Sequence, residues 1–243
     1  MTLRGRVALV TGGAQRVGSA IALALAERGA RVVITYHRSA RSAADTRRRL
    51  RMLSPDSDAL RADLRHPRQV RRLMSQVRAR HGRLDVLVNS AANFHRTPFG
   101  ALTDRDWDEA LDTNARGPFL CALHASRLMA RRGGKIINIA DWAGERPYRD
   151  YLPYCVSKAA VIGLTRALAK ELAPRIQVNA VSPGPVLPPE GMSRTQRARI
   201  ARAVPLGRWG SPKDIAAAVV FLIEGTDFMT GSVVHVDGGR LIA

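Results

Sequence analysis

Short, largely apolar, β-branched runs recur along this 243-residue chain with helix-length segments between them, and no other feature restricts its fold as strongly. The runs are Val7–Val10, Val32–Thr35, Leu84–Val88, Ile136–Ile139, Val178–Val181 and Val233–Val236, with a shorter Ala59–Ala62 among them. Ala20–Ala30, the segment after Asp104, and Val156–Leu172 carry apolar residues at helical spacing. Strands this apolar need cover on both faces. With helices in the gaps, that predicts a parallel sheet joined by right-handed crossovers, an α/β, doubly wound architecture. No repeat or linker divides the chain, so one domain over residues 1–243 is expected. Pro183–Gly191, with its four prolines, reads as a functional loop opening a substrate lid around residues 183–208.

Composition excludes more than it assigns. No stretch approaches eighteen apolar residues and Met1–Val10 lacks the pattern of a secretory signal, so a cytoplasmic protein without membrane contact is expected. Cys121 and Cys155 form no CxxC pair and join no histidine cluster, so neither a disulfide framework nor a metal site is expected. The formal charge of +19 comes mostly from arginines spread over helix-like segments, with only four lysines. That pattern reads as solvated faces that attract anionic small molecules, without a specific nucleic-acid stripe.

Directly after the first strand comes Thr11-Gly12-Gly13-Ala14-Gln15-Arg16-Val17-Gly18, running into a helix. Glycines at 12 and 18 leave room for a phosphate at a helix N-terminus, where free N–H groups and the helix dipole favour negative charge. Gly12, Gln15, Arg16, Val17 and Gly18 are therefore candidate cofactor contacts on a Rossmann-like sheet. An acidic residue at the end of the second strand would select NAD(H) by binding a ribose hydroxyl. Here that strand ends in His37-Arg38-Ser39, donors suited to a 2′-phosphate, which favours NADP(H), unless Arg38 is simply one more surface arginine. Asp63 and Leu64 follow the short third strand and are candidate adenine contacts, although Asp63 is equally placed to cap a helix.

In Tyr154-Cys155-Val156-Ser157-Lys158 a phenol and an ammonium stand four residues apart on one helix face. The ammonium is expected to favour the phenolate and bring it toward a working pKa, giving an acid–base pair.

Together the glycine turn, the strand end at Asn89, Asn114, Tyr154 with Lys158, Pro183-Gly184 and Val236-Asp237-Gly238-Gly239 resemble the short-chain dehydrogenase/reductase family over nearly the whole chain. The resemblance implies Tyr154 as proton donor, Lys158 holding the nicotinamide ribose, and Asn114 holding a water in a proton relay. It also implies cofactor contacts at Asn89, Pro183 and Gly184, and a homotetramer paired through the helices after Asp104 and Val156.

Two positions depart from the common family pattern: Asn89-Ser90-Ala91-Ala92 replaces Asn-Asn-Ala-Gly, and Asp141 replaces the serine thirteen residues before the tyrosine. A carboxyl whose pKa is raised by burial can deliver a proton, which suits a ring nitrogen. A disabling change, or a nearby hydroxyl in the serine's role, is the alternative. Asp141, Arg16 in the turn, His37-Arg38-Ser39 and Phe94 resemble the pteridine reductase branch. That branch implies Phe94 stacking on a pterin and Arg16 on pterin oxygen or cofactor phosphate; Phe94 as a core residue is the other reading. The expected function is NADPH-dependent reduction of a pterin-like C=N bond, with Asp141 or Tyr154 donating the proton. The first alternative is a carbonyl reductase of 3-oxoacyl thioesters or keto sugars, and the second a non-catalytic dinucleotide- or nucleic-acid-binding protein.

Overall fold

A computed structural model describes residues 1–189 and 191–243. Seven parallel strands form one sheet: β1 (Val7–Thr11), β2 (Arg31–Tyr36), β3 (Asp58–Arg61), β4 (Val86–Asn89), β5 (Gly134–Ile139), β6 (Ile176–Pro183) and β7 (Val233–Val236). Their spatial order is β3-β2-β1-β4-β5-β6-β7. The chain works outward from β1 to β3, returns to the centre at β4, then works outward on the other side. The order therefore reverses between β1 and β4, where a doubly wound sheet opens a crevice at the carboxyl ends of its strands. Thr11 of β1, Asn89 of β4 and Asn138 of β5 lie in one register row at that edge.

Alternation along each strand supplies two cores. On one face Ala8, Val10, Ile34, Val88 and Ile137 meet α1 (Arg16–Glu27) through Ile21 and Leu25, and α8 (Pro212–Val220) through Ile215 and Val219. On the other, Val7, Leu9, Val33, Leu87, Ile136 and Val178 meet α3 (Pro67–His81), α5 (Gly117–Met129) and α6 (Leu152–Leu172). The remaining helices are α2 (Ala40–Leu53), α4 (Asp104–Leu111) and α7 (Arg194–Arg202). Among the described residues no helix is long and apolar enough to cross a membrane.

Element ends differ from the sequence pattern where local chemistry overrides periodicity. The first helix begins at Arg16, directly on the glycine turn, and ends at Glu27 before the left-handed Gly29 (φ +82°), instead of spanning Ala20–Ala30. The helix expected from Val156 begins at Leu152, because Pro153 occupies its first turn, where a missing N–H costs nothing. Tyr154 thereby stands in the first turn of α6. The expected lid contains α7, started by a reciprocal Ser193–Gln196 capping box.

Buried polar side chains fasten α6 to the sheet. Asn89 Nδ2 donates to Asn138 Oδ1 at 2.9 Å, Asn138 Nδ2 donates to Thr165 Oγ1 at 2.9 Å, and Thr165 Oγ1 donates to the Val161 carbonyl at 2.7 Å. Asn138 and Thr165 are fully buried, so each lost partner leaves a desolvated polar group. Asn138→Leu is expected to lower stability by about 2–3 kcal/mol in urea denaturation, well beyond the volume change alone.

Candidate active site

At the crevice, a cavity of about 1400 Å³ runs from the glycine turn, past the end of β2, to Tyr154, Lys158 and the segment after β6. Of the expected cofactor residues, Gly12, Gln15, Arg16, Val17, Gly18, His37, Arg38, Ser39, Asp63, Leu64, Lys158, Pro183 and Gly184 line it. Asn89 and Asn114 are not among its lining residues and stand behind its wall, both buried.

The turn has the shape its glycines imply, though Gly18 serves a different purpose. Gly12 has φ +63°, and a Cβ there would lie 2.7 Å from the Ala91 Cα. At Gly18 a Cβ would meet the Gly12 carbonyl oxygen at 2.3 Å, so its missing side chain lets the helix close on the turn. Arg16 is left-handed (φ +55°), a conformation glycine adopts more readily, and its side chain is exposed at the cavity. Thr35 Oγ1 accepts from Gly12 N, and Thr46 Oγ1 donates to the Ala14 carbonyl. The N-terminus of α1 has no side-chain cap and no acidic residue in its first turn, which leaves its N–H groups and dipole available to a phosphate.

Among the described residues, Asp63 is the carboxylate paired with His37 at the end of β2, and its charge is compensated. Arg65 pairs with it in a fork, Nη2 to Oδ2 at 2.7 Å, and His37 and His66 approach at 3.6 and 3.4 Å. The Arg65 hydrogen bonds hold the Asp63 pKa down to about 2. Its Oδ1 accepts from Arg65 N in a local turn, and the cap residue of α3 is His66, so Asp63 is not the helix cap. Arg38 is exposed, and Ser39 makes no side-chain cap bond to α2. An NADP(H) adenosine end with its 2′-phosphate fits these donors.

Tyr154, Ser157, Lys158, Val161, Thr165 and Ala169 form one stripe along α6, all buried. The reacting pair is thus the top of the stripe that packs on the sheet. Lys158 Nζ donates to the Ile139 carbonyl at 2.8 Å and lies 5.7 Å from the centre of the Tyr154 ring. Burial lowers its pKa to about 8. Tyr154 Oη donates to Asp141 Oδ2 at 2.7 Å.

The expected depression of the Tyr154 pKa is not what the protein alone provides. Burial, and then the adjacent Asp141 charge, push the phenol well above its ordinary value. Charge counting in the sequence included Lys158 but not desolvation. The result is a tyrosine that keeps its proton, the form needed in an acid.

Asp141 is the hub of this arrangement. Its Oδ1 accepts from Ala143 N at 2.8 Å and from Tyr148 Oη at 3.3 Å, while Oδ2 faces Tyr154. Burial raises its pKa, against the opposing effects of these donors and of Lys158. Since Ala143 N can only donate, Oδ1 is fixed as an acceptor, and a proton on the carboxyl belongs on Oδ2.

Phe94 is 45% exposed and lines the cavity, so it is not a core residue. It stacks on Tyr151 (centroids 4.5 Å, 13° between planes) and stands edge-on to Tyr154 at 4.6 Å. Its loop is fixed at one end by Thr11 Oγ1, which accepts from Ser90 N and Ala91 N, and at the other by the Thr97 N–Asp150 carbonyl bond. Asn114, in a π-turn between α4 and α5, joins the same scaffold. Its amide exchanges hydrogen bonds with the Asn93 backbone and donates to Ser157 Oγ at 3.0 Å.

Sequence reasoning passed over Tyr148, Tyr151 and Trp142, which with Phe94 form an aromatic wall around Asp141. Three of the chain's four tyrosines within seven residues was the available signal. From the lid, Leu187, Pro189, Met192, Arg199, Ile200 and Ala203 reach the cavity. Glu190, part of the lid sequence, lies outside the described residues.

A family model described as enoyl-(acyl carrier protein) reductase matches residues 12–240. The chain is 36% identical to 3-oxoacyl-(acyl-carrier-protein) reductase FabG of Staphylococcus aureus over 237 residues, 96% of each sequence. It is 34% identical to galactitol 2-dehydrogenase of Agrobacterium fabrum, over 99% of each. Among solved structures, an actinorhodin polyketide ketoreductase variant with NADPH superposes with a TM-score of 0.92 at 32% identity, covering 98% of each chain. These relatives are named for ketone and alcohol chemistry, and the finer resemblance to pteridine reductases has no counterpart among them.

A raised Asp141 pKa has a consequence for stability. The folded protein holds a proton that the unfolded chain releases, so this contribution is complete below pH ~4 and is lost as pH rises through the folded-state value. Asp141→Asn keeps the Ala143 N–H acceptor and cannot ionise. Its thermal midpoint is expected to exceed that of the unsubstituted protein at pH 8, with the gap closing as the pH is lowered toward 4.

Proposed function

This chain belongs to the short-chain dehydrogenase/reductase family and is an NADP(H)-dependent oxidoreductase, and from that premise we propose that it reduces a keto group on a small molecule. One observation carries the chemistry: Tyr154, buried and hydrogen-bonded to Asp141 at 2.7 Å, lines the cavity beside Lys158. The keto substrate is supported by the relatives named for 3-oxoacyl and polyketide reduction.

When bound, NADPH supplies the hydride. The chain's own residues handle the proton and the alignment. With a proton on Oδ2, Asp141 donates to the Tyr154 oxygen, which leaves the Tyr154 hydrogen free for the substrate's developing alkoxide. As Tyr154 gives up that proton, Asp141 keeps its hydrogen bond to the phenolate across 2.7 Å, a bond that a serine hydroxyl could also supply. Lys158, held by the Ile139 carbonyl, places a positive charge beside the phenol without entering the transfer. Phe94 and Tyr151 supply an apolar shelf, and residues 183–208 act as the lid.

A second reading is favoured by Asp141 itself. A buried carboxyl in a serine's place is suited to protonating a nitrogen, and the Phe94 shelf suits a flat heterocycle, so reduction of a pterin-like C=N bond stands beside the ketone reading. The distinguishing assay offers purified protein acetoacetyl thioesters, keto sugars, dihydrobiopterin and dihydrofolate, with NADPH or NADH. We expect ketone turnover, an NADPH preference of about tenfold or more, and ketone turnover kept or raised in Asp141→Ser. Turnover confined to the pterins and abolished by that substitution would replace the first reading with the second. Reduction of neither class would remove the substrate proposal, and turnover of either removes the non-catalytic alternative.

We also propose a cytoplasmic homotetramer. Its support is the exposed apolar side chains Trp107, Phe119, Leu123 and Val156 on α4, α5 and α6. Light scattering should give four times the 26.5 kDa chain mass, and a monomeric mass would overturn this.

A further inference from the structure

Among the described residues that line the cavity, Arg240 is a cation so far without a task. Arg240 lines the same cavity as Asp141, Tyr148 and Tyr154, and its guanidinium carbon lies 4.8 Å from the centre of the Trp142 ring. Trp142 directly follows Asp141 and is 5% exposed, so the indole is a fixed seat for the guanidinium at the cavity wall.

Neighbouring acids are occupied elsewhere. Asp237 spends its carboxylate on backbone, Oδ1 accepting from Gly239 N at 2.9 Å and Oδ2 from Leu241 N at 2.7 Å. Those bonds fix the short turn that carries Arg240. Glu145 meets His235 at 2.7 Å, and Asp141 takes Ala143 N and the two tyrosine hydroxyls. Among the described residues no carboxylate pairs with Arg240 or with Arg199, the α7 arginine that reaches the same cavity. Arg16 and Arg38, with the His37 imidazole beside them, line the cavity at the glycine turn and β2, where the phosphates of NADP(H) fit. Arg199, from α7, and Arg240, from the turn after β7, are cations that reach the cavity from elements other than the glycine turn and β2.

We propose that Arg240, braced on Trp142, docks a carboxylate of the substrate, so that the preferred substrates are carboxylate-bearing compounds. The guanidinium has a rigid fork of donors that matches a carboxylate, and its aromatic seat limits the freedom lost on binding. This rests on the reductase reading and narrows its substrate class.

The test compares paired substrates with and without carboxylates: acetoacetate, which has one, with ethyl acetoacetate, and dihydrofolate, whose tail ends in two, with dihydrobiopterin, which has none. For the pair that the unsubstituted enzyme reduces, Arg240→Met should lower the kcat/KM ratio of charged to neutral member by about tenfold. Arg240→Lys should restore part of it, and the KM for NADPH should stay put. Calorimetric titration of acetoacetate into the NADP⁺-loaded protein should show the same loss in affinity. An unchanged ratio overturns the proposal, since a purely structural role on Trp142 would affect both members alike. A raised KM for NADPH with no change in the ratio assigns Arg240 to the cofactor phosphates and equally overturns it. If neither pair is reduced but acetoacetate binding still depends on Arg240, the substrate proposal fails while the docking site stands; loss of both removes both.

Discussion

The attachment of α6 to the carboxyl edge of the sheet is the constraint on which the site depends. Tyr154 and Lys158 work only if their helix sits at one height and one rotation against β4 and β5. Two buried sets of bonds fix both. The Asn89–Asn138–Thr165 relay anchors the middle of the helix, and Lys158 Nζ on the Ile139 carbonyl anchors its upper part. Burial makes these bonds specific, because a shifted helix would leave desolvated polar groups unpaired. Asn89 was expected to touch cofactor, yet its contribution is to hold the helix that carries the chemistry.

What was legible in the sequence was local. Apolar runs and helical spacing foretold the parallel sheet, Gly12 marked the turn, and the four-residue interval of Tyr154 and Lys158 marked a shared helix face. What stayed hidden joins residues distant in the chain or depends on burial. Thr165 reaches Asn138 across 27 positions, and Arg240 reaches Trp142 only once the sheet is complete. The direction of the Tyr154 shift could not be read from the Tyr154–Lys158 spacing, because desolvation and the Asp141 charge, brought near by the fold, both push the phenol up. The early start of α6 was signalled by Pro153, but periodicity from Val156 onward spoke more loudly.

Asp141 shows how function and stability pull apart at one residue. A carboxyl in this position is partly buried, flanked by aromatic side chains and held by donors that partly offset its desolvation. A serine would be easier to accommodate. Keeping the acid places a carboxyl within 2.7 Å of the Tyr154 hydroxyl, and the rest of the fold absorbs the cost through its two large apolar cores.

The segment from Pro183 to Leu206 is tied at both ends to the chain around β7: Gly184 N donates to the Val236 carbonyl, and Leu206 N donates to the Gly238 carbonyl. At Gly184 the contact is so close that a Cβ would lie 2.6 Å from the Asp237 Cα. The roof of the crevice therefore hangs on β7, the edge strand of the sheet, so fraying of that strand would loosen the cavity wall as well as the sheet.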